Sequence, residues 1–364
     1  MTQTKVEAPF VENNRPFRNL IINGDMSISQ RGTSFAAVND DDYTLDRYKY
    51  DISGTDVYQF TISQSTTVPT GQGFAKSMKF DCTTADASLD GDNFAIIATR
   101  LEGQNLQSLK KGTSSAESTT LSFWVRSNKT GTYIAELFDT ENDRVICKSY
   151  TISSSDTWEK KTVTFPGDTT GALTNDNAGR LRIHFWLLTG TNFSSGSLAT
   201  AWESRNNVDR AVGQVNLGDN TSNEWYITGI QLEVGDAASD FEHLPHDVQL
   251  QRCQRYYQQI PHTASASWQA YPIWGVNSNV MVTRLQLPVV MRAAPTGAFV
   301  GTRNTDFKAY YNGGYQTLTN EAVADTTDDA VRFDMYSSGA FAANDSGGLY
   351  INTTDGRITL TAEL

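Results

Sequence analysis

The fold is decided by one stretch, NEWYITGIQLEVGDAASDFEHLPHDVQLQRCQRYYQQ, at residues 223–259. Apolar and polar residues alternate as far as Val234, which predicts a strand with one apolar face and one mostly polar face. The turn at Gly235 and an Ala/Ser/Asp loop follow. The run 247–258 contains neither glycine nor proline, which predicts a short helix. We therefore interpret the stretch as the last strand of one β domain and the hinge to a second.

The chain before this stretch consists of short β-like runs separated by turn-forming residues. The spacing of these runs is typical of an antiparallel sandwich or jelly roll. The runs LSFWV and IHFWLL are apolar on both faces in places, which predicts central strands between packed sheets. The first predicted strand lies in the opening part of 18–33. The others lie at 57–62, 75–82, 95–101, 119–127, 132–139, 145–152, 158–165 and 181–189.

A second series of strand-like runs follows the hinge. The predicted strands lie at 271–276, 279–287, 297–302, 307–311, 330–336, 348–352 and 358–362. The expected fold class is all-β, with an N-terminal jelly-roll β-sandwich and a smaller C-terminal β-sandwich joined by a short helix. The expected domains are an extended arm at 1–17, the jelly roll at 18–240, the helical hinge at 241–259 and the second sandwich at 260–364.

Composition excludes several classes of partner. The 41 acidic residues outnumber the 29 Lys and Arg, giving a formal net charge of -12, and no basic stripe is present. A nucleic-acid partner is therefore not expected. The N-terminus lacks the apolar segment of a secretory signal, and no apolar run is long enough to span a bilayer. We expect neither ordinary secretion nor membrane insertion.

The cysteines and the missing motifs argue against a metal centre or an active site. Cys82, Cys147 and Cys253 are far apart and form no Cys/His cluster, so we expect no structural zinc and assembly in a reducing cytoplasm. The chain has no GxSxG motif and no β-helix repeat, and we expect no enzyme activity. Carboxylates are numerous enough that their count does not exclude a glycosidase pair. His184 lies inside IHFWLL, which indicates a core or cross-strand residue.

A calcium site is the one cofactor that the pattern suggests. Jelly rolls can hold Ca²⁺ through oxygen ligands where their first and last strands meet. Asn23, Asp25 and Glu233 could supply oxygens there. The alternative is that Asn23 and Asp25 are turn residues and that Glu233 is an exposed strand carboxylate.

Aromatic residues in and beside loops are the candidates for sugar recognition. Sugar rings stack on Trp and Tyr side chains, and polar neighbours supply hydrogen bonds. The segment YYNGGY at 310–315 is the best candidate tip. Burial at a subunit contact is the alternative, because aromatic residues are also enriched at interfaces. The candidate glycan-binding residues are Trp268, Trp274, Tyr310, Tyr311 and Tyr315.

Several segments resemble the tail-fibre and appendage proteins of tailed bacteriophages. They are RNLIINGDMSISQRGT at 18–33, LEGQNLQSLKKGTSSAESTTLSFWVRSNKTGTY at 101–133, and the run from WYITGIQLEVG to QRYY at 225–257. The resemblance implies a virion surface protein, often trimeric, whose first domain is similar to a carbohydrate-binding jelly roll. Those modules open with NLIxNGxF and carry DRW. Here Met26 takes the place of the aromatic residue, and Tyr48 ends the sequence DRY.

The resulting hypothesis is a structural virion protein, a fibre or other surface appendage, that contributes to attachment to host-surface glycan. Its expected partners are further copies of itself, as a trimer, and other virion proteins. Its expected location is the virion, after assembly in the host cytoplasm. The alternatives are an adaptor or decoration protein that binds only virion proteins, and a polysaccharide depolymerase.

Overall fold

The computed structural model describes residues 16–54, 57–261, 268–352 and 355–364. The chain divides into two compact units, Met1–Gln249 and Leu250–Leu364, called here the first and second unit. Each is built from antiparallel strands, which confirms the all-β fold class. The expected arm lies almost wholly outside the described residues. In the described part of the chain, no helix is long and apolar enough to cross a membrane.

The strands of the first unit follow the sequence pattern closely. In chain order they are β1 (Ser34–Phe35), β2 (Asp42–Tyr43), β3 (Lys49–Ser53), β4 (Gln59–Ser65), β5 (Ser77–Thr84), β6 (Phe94–Glu102), β7 (Thr119–Ser127), β8 (Gly131–Asp139), β9 (Arg144–Ile152), β10 (Glu159–Phe165), β11 (Gly179–Thr189), β12 (Glu203–Ser204) and β13 (Glu224–Val234). A one-turn helix, α1 (Thr191–Ser194), follows β11.

Two sheets make the first unit a jelly-roll-like sandwich. Among its described residues, one sheet has the order β1-β4-β5-β13-β7-β10 and the other β12-β9-β8-β11-β6-β3-β2. The inner faces meet in a core of aromatic side chains. Tyr50 contacts Phe80 at a ring-centroid distance of 5.9 Å, and Phe123 contacts Phe185 at 5.0 Å. Burying one such ring stabilises the fold by about 1.5–3 kcal/mol.

Strand β13 does not alternate strictly, and this corrects the predicted face pattern. Its pairing with β7 shifts register between Thr228 and Gln231. Gly229 lies at this bulge with a φ of 63°. The extra residue places Ile230 on the same core-facing side as Ile227, where strict alternation would have pointed it to the opposite face. The bulge therefore keeps both halves of the strand apolar toward the core.

The predicted opening strand at 18–33 is wrong, because this segment is irregular and lies beside β13. The Asn19 amide donates to the Ile230 carbonyl at 3.0 Å, and its oxygen accepts from the Leu232 N–H at 3.1 Å. Asn23 has a φ of 60°, a left-handed conformation that a strand does not tolerate. Side-chain hydrogen bonds thus hold next to β13 a segment whose apolar pattern resembles a strand.

The outer face of the seven-stranded sheet explains why IHFWLL is apolar on both sides. Its second face meets loop residues and not another sheet. Trp186 on β11 packs against Phe193, Ala199 and Ala211, which belong to the loop between β11 and β13. This cover ends before Arg182, and the remaining part of the outer face is open.

The second unit is a smaller sandwich preceded by helix α2 (His246–Gln254). Its strands are β14 (Tyr257–Ile260), β15 (Trp268–Asn277), β16 (Val280–Gln286), β17 (Thr296–Val300), β18 (Phe307–Tyr311), β19 (Gly314–Gln316), β20 (Asn320–Ala324), β21 (Ala330–Tyr336), β22 (Ser346–Asn352) and β23 (Arg357–Thr361). In the described ranges, a sheet β14-β23-β17 faces a sheet β19-β18-β22-β15-β16-β21-β20.

The helix is shorter than predicted. It begins at His246 and ends at Gln254, whereas the pattern predicted a helix over 247–258. Tyr257–Ile260 forms β14 and pairs with β23. Because aromatic and β-branched residues fit a pleated surface, this segment forms a strand and does not continue the helix.

Replacing Gly229 with alanine should destabilise the first unit. The left-handed conformation alone costs a non-glycine residue about 1–2 kcal/mol. An added Cβ would also lie 2.5 Å from the Phe74 ring. Gly71→Ala is the matched control, because Gly71 has a φ of 76° but open space around it. We expect Gly229→Ala to lower the unfolding free energy, measured by chemical denaturation, by clearly more than Gly71→Ala. Equal losses would show that the close approach of Phe74 does not matter.

Candidate functional site

The candidate site is a surface cavity of about 440 Å³ in the first unit, on the open part of the outer sheet face. We call it the outer-face cavity. Four neighbouring strands, β8, β11, β6 and β3, supply its floor, and the Asp40–Asp41 loop and Arg210 supply its walls. This volume falls in the range of about 300–1,000 Å³ that is usual for small-molecule sites.

Strand register arranges the floor in rows across the sheet. Arg182 on β11 stands opposite Phe138 on one side and Arg100 on the other. The next row places His184 opposite Glu136. Because side chains two residues apart on a strand share a face, these rows all point outward. A rigid sheet therefore presents the aromatic and charged side chains together.

A second part of the floor continues the rows onto β6 and β3. Lys49 lies opposite Ala98, and Asp51 lies opposite Ile96. The arginines therefore lie at one end of the cavity and the aspartates at the other. The Arg100 row and the Asp51 row are four residues apart along β6, or about 13 Å, which leaves room for a sugar ring between the ends.

Glu136 is a buried carboxylate that holds the floor together. Arg210 donates to it from Nε at 3.0 Å and from Nη2 at 2.9 Å, and Trp186 donates from Nε1 at 2.7 Å. Burial raises the pKa of Glu136, but the charges of Arg210 and His184 and the hydrogen bonds from Arg210 outweigh it and lower the pKa to about 2. The carboxylate therefore stays ionised and fixes Arg210 at the cavity wall.

His184 is a cross-strand residue at the cavity floor, as the sequence indicated. It is only 3% exposed. Its Nδ1 lies 3.5 Å from Glu136 Oε2, too long for a good hydrogen bond. Its Nε2 has no hydrogen-bond partner among the described residues. A buried ring nitrogen that lines a cavity without a partner is available to a ligand.

The aspartates at the other end are engaged by the protein. Asp41 and Asp51 both contact the Lys49 ammonium, the second at 3.1 Å. Asp40 accepts a hydrogen bond from the Ile52 N–H at 2.9 Å. These three carboxylates are close enough together to hold a metal ion. Because the Lys49 ammonium already pairs with two of them, the cluster gives no reason to expect a metal.

The side chains expected to form a calcium site make hydrogen bonds within the protein. The Asn23 oxygen accepts from the Ile28 N–H at 2.9 Å, and its amide donates to two carbonyls. Both Glu233 oxygens accept from Ser239, at 2.8 and 2.7 Å. Asp25 accepts from the Ser27 hydroxyl at 3.0 Å. These bonds account for Asn23 and Glu233 as structural residues, and the calcium site stays a prediction.

The second unit presents part of the predicted aromatic set on one sheet surface. Tyr310, Tyr315 and Tyr350 contact one another edge-on, with ring centroids 5.4 to 6.1 Å apart. Trp274 lies on the same face by strand register and is 48% exposed, and Tyr315 is 56% exposed. We call these four residues the aromatic face. Tyr350 is the member that the sequence analysis missed.

Two of the predicted residues are not placed on the aromatic face. Tyr311 follows Tyr310 on β18, so its side chain points to the opposite side, where its ring lies 6.0 Å from Phe341. Trp268 begins β15, but its side chain lies outside the described residues. The predicted aromatic residues of β18 therefore divide between the two faces of the sheet.

The outer-face cavity was not predicted from the sequence either. A signal was present, because Arg180, Arg182 and His184 alternate with apolar residues along RLRIHF at 180–185. The sequence does not show which parts of this polar stripe the loop after β11 covers. Pairing between strands distant in sequence then brought Phe138 and Arg100 beside Arg182.

No protein-family model and no curated protein matches this sequence. Among solved structures, the enzymatically active domain of bacteriophage CBA120 tailspike protein 4 is similar at 15% identity and a TM-score of 0.32, over 60% of this chain and 22% of that chain. TmCBM61 in complex with β-1,4-galactotriose is similar at 11% identity and a TM-score of 0.29, over 60% and 99% of the chains. The family 11 carbohydrate-binding module of a Clostridium thermocellum cellulosomal cellulase is similar at 12% identity and a TM-score of 0.28, over 56% and 97%. At this distance the similarities carry no argument about the ligand of this chain.

Replacing Glu136 with glutamine should destabilise the protein in a pH-dependent way. At neutral pH we expect a loss of about 3–5 kcal/mol, because Arg210 stays buried without its counter-charge. The pKa of Glu136 is lowered in the folded state, so its stabilising effect is present above the unfolded-state pKa of about 4.3. This effect disappears as the pH falls through about 2. Chemical denaturation of both proteins from neutral pH to about pH 2 measures the difference.

The control is Glu117→Gln, which removes a surface ion pair with Lys110. Exposed pairs contribute about 0–1 kcal/mol, so its effect should be small at every pH. A loss at Glu136 that stays constant down to the acid limit would contradict the role given to its charge.

Proposed function

We propose that this chain is a bacteriophage virion protein, a fibre or other surface appendage assembled in the host cytoplasm, that binds host-surface glycan. The resemblance of residues 18–33, 101–133 and 225–257 to phage appendage proteins supports the virion role. The outer-face cavity is the observation that carries the glycan role, because it combines what a sugar ring requires on one rigid surface.

Sugar recognition needs an apolar surface beside groups that donate and accept hydrogen bonds. Phe94 and Phe138 are partly exposed and line the cavity. Arg182 and His184 can donate, and Asp51 can accept. All of these side chains lie on the neighbouring strands β8, β11, β6 and β3, so their positions are set before a ligand arrives.

Weak single sites are compatible with this role, because copies on one appendage bind together. Linking several binding sites can raise the overall affinity by about 10²–10⁴-fold without any new contact at each site. We propose a homotrimer as the arrangement that presents the cavities together. Binding without catalysis is then sufficient for attachment.

A second candidate function is contact with protein through the aromatic face, as in an adaptor that binds virion proteins. The observation that favours it is Val276, which is 52% exposed and lies near Trp274 on β15. An exposed valine contributes little to sugar recognition, whereas aliphatic and aromatic side chains together are typical of interface cores. We propose a second copy of this chain as the occupant of this face.

Replacing Phe138 with leucine should weaken glycan binding while keeping most of the apolar volume. Loss of one aromatic stacking partner costs about 0.5–1.5 kcal/mol, or up to about tenfold in affinity. The measurement is binding of purified protein to an array of host-envelope glycans. Tyr315→Ser in the second unit is the control and should bind as the wild type does. Wild-type protein that binds no glycan, while still attaching to particles that lack it, would favour the adaptor.

Replacing Trp274 with serine should lower the oligomer mass measured by light scattering. We expect the wild type to have the mass of three chains. Trp274→Ser should dissociate at a higher protein concentration than the wild type, because the apolar area that the Trp274 ring buries at the contact is lost. Lys308→Ser, on the same sheet face but charged, is the control. A wild-type mass of one chain would contradict the trimer. A trimer that persists in Trp274→Ser but loses glycan binding would assign the aromatic face to sugar.

A further inference from the structure

We propose that the saccharide bound in the outer-face cavity carries an acidic group, and that the Arg182 guanidinium binds this group. The inference rests on the glycan function proposed above and adds the chemical class of the ligand. Its basis is an arginine that the fold holds without a counter-charge, at a cost in folding stability.

Arg182 has no ion pair and no hydrogen bond to any described residue. Its Nε is buried and unpartnered. Its guanidinium lies over the Phe138 ring, whose centroid is 5.8 Å from the guanidinium carbon. A guanidinium carries five N–H donors, and a buried donor without an acceptor costs about 1–3 kcal/mol. A ligand oxygen in the cavity would satisfy these donors.

The surroundings of Arg182 add like charge. Arg100 is its direct cross-strand neighbour, and like charges in that position destabilise a sheet. Burial lowers the pKa of Arg182, and the charge of Arg100, with a smaller effect from Arg210, lowers it further. Asp51 acts in the opposite direction, but it forms no ion pair with Arg182 in the described residues. The arrangement therefore favours an anion that comes from outside.

The neighbouring charges of the cavity contrast with Arg182. Arg210 is neutralised by Glu136, and Lys49 by Asp41 and Asp51. The lining carries both signs of charge, with three aspartates beside Lys49, Arg100, Arg182 and Arg210. Arg182 is a cation in this lining whose charge the described side chains do not balance by an ion pair.

The polarity of the cavity also orients the ligand. The acidic group of a sugar would lie at the end formed by Arg182 and Arg100, because a guanidinium binds planar oxyanions with two parallel hydrogen bonds. The hydroxyl groups would lie toward Asp51, whose oxygens accept hydrogen bonds. The apolar face of the ring would lie against Phe138, which stands beside Arg182 in the same row.

The test compares acidic and neutral sugars on the full-length protein. The probes are oligosaccharides of glucuronate and galacturonate, their neutral counterparts glucose and galactose, and sulfated and phosphorylated forms of the same sugars. We expect the protein to bind at least one acidic series more tightly than its neutral counterpart. Added NaCl should weaken the acidic series more than the neutral one, because salt screens the charge.

The variant is Arg182→Met, which removes the charge and keeps most of the apolar stem. We expect affinity for the acidic series to fall by about 10- to 100-fold, the range for a charge-assisted hydrogen-bond pair. Its melting temperature should be no lower than that of the wild type, because a repelled and desolvated charge has been replaced by an apolar side chain. Loss of binding without loss of stability separates a ligand-binding arginine from a structural one.

The control is Arg126→Met, which removes the same charge from the six-stranded sheet, where Arg126 pairs with Asp156. It should leave binding of the acidic sugars unchanged. Equal binding of neutral and acidic sugars would overturn the ligand class and leave the glycan function intact. No binding of any sugar would remove both proposals. Arg182→Met that binds acidic sugars as the wild type does would overturn the role of Arg182.

Discussion

The bulge at Gly229 is the constraint on which the first unit depends. Strand β13 lies between β5 and β7, and both of its halves must turn apolar residues toward the core. One extra residue with a left-handed backbone makes that arrangement fit a period-two strand. Beyond the bulge, β13 is bordered by the irregular segment that Asn19 holds in place, and this closes the core on that side.

The seven-stranded sheet then divides its outer face between stability and function. The loop after β11 covers Trp186 and its neighbours and makes a second small core. Glu136 lies at the edge of this cover and ties Arg210, a residue of the covering loop, to the sheet. What remains open carries Phe138, Arg182 and His184. Charges that the fold leaves unbalanced on a rigid surface lower stability, and such costs are typical of binding sites.

The sequence predicted the strands well where local pattern and tertiary contacts agree. The predicted bounds 119–127, 307–311 and 330–336 coincide with β7, β18 and β21. Errors arose where tertiary contacts outweighed the local pattern. Residues 18–33 resemble a strand but are held by side-chain hydrogen bonds, and Tyr257–Ile260 joins a sheet where the pattern continued the helix. The short edge strands β19 and β20 were not predicted. Each becomes a strand only because it pairs with a neighbour, β18 or β21.

The site was the least predictable part, since it depends on which distant strands become neighbours. Composition identified aromatic segments, and Tyr310 and Tyr315 do lie together, but alternation turned Tyr311 to the other side. The sequence by itself determined an all-β chain with two sandwiches, because period-two patterning and turn residues act locally. Only the tertiary structure decided that Arg182 faces Arg100 and Phe138 in an open cavity, because register between strands far apart in sequence, and the extent of a covering loop, follow from packing of the whole unit.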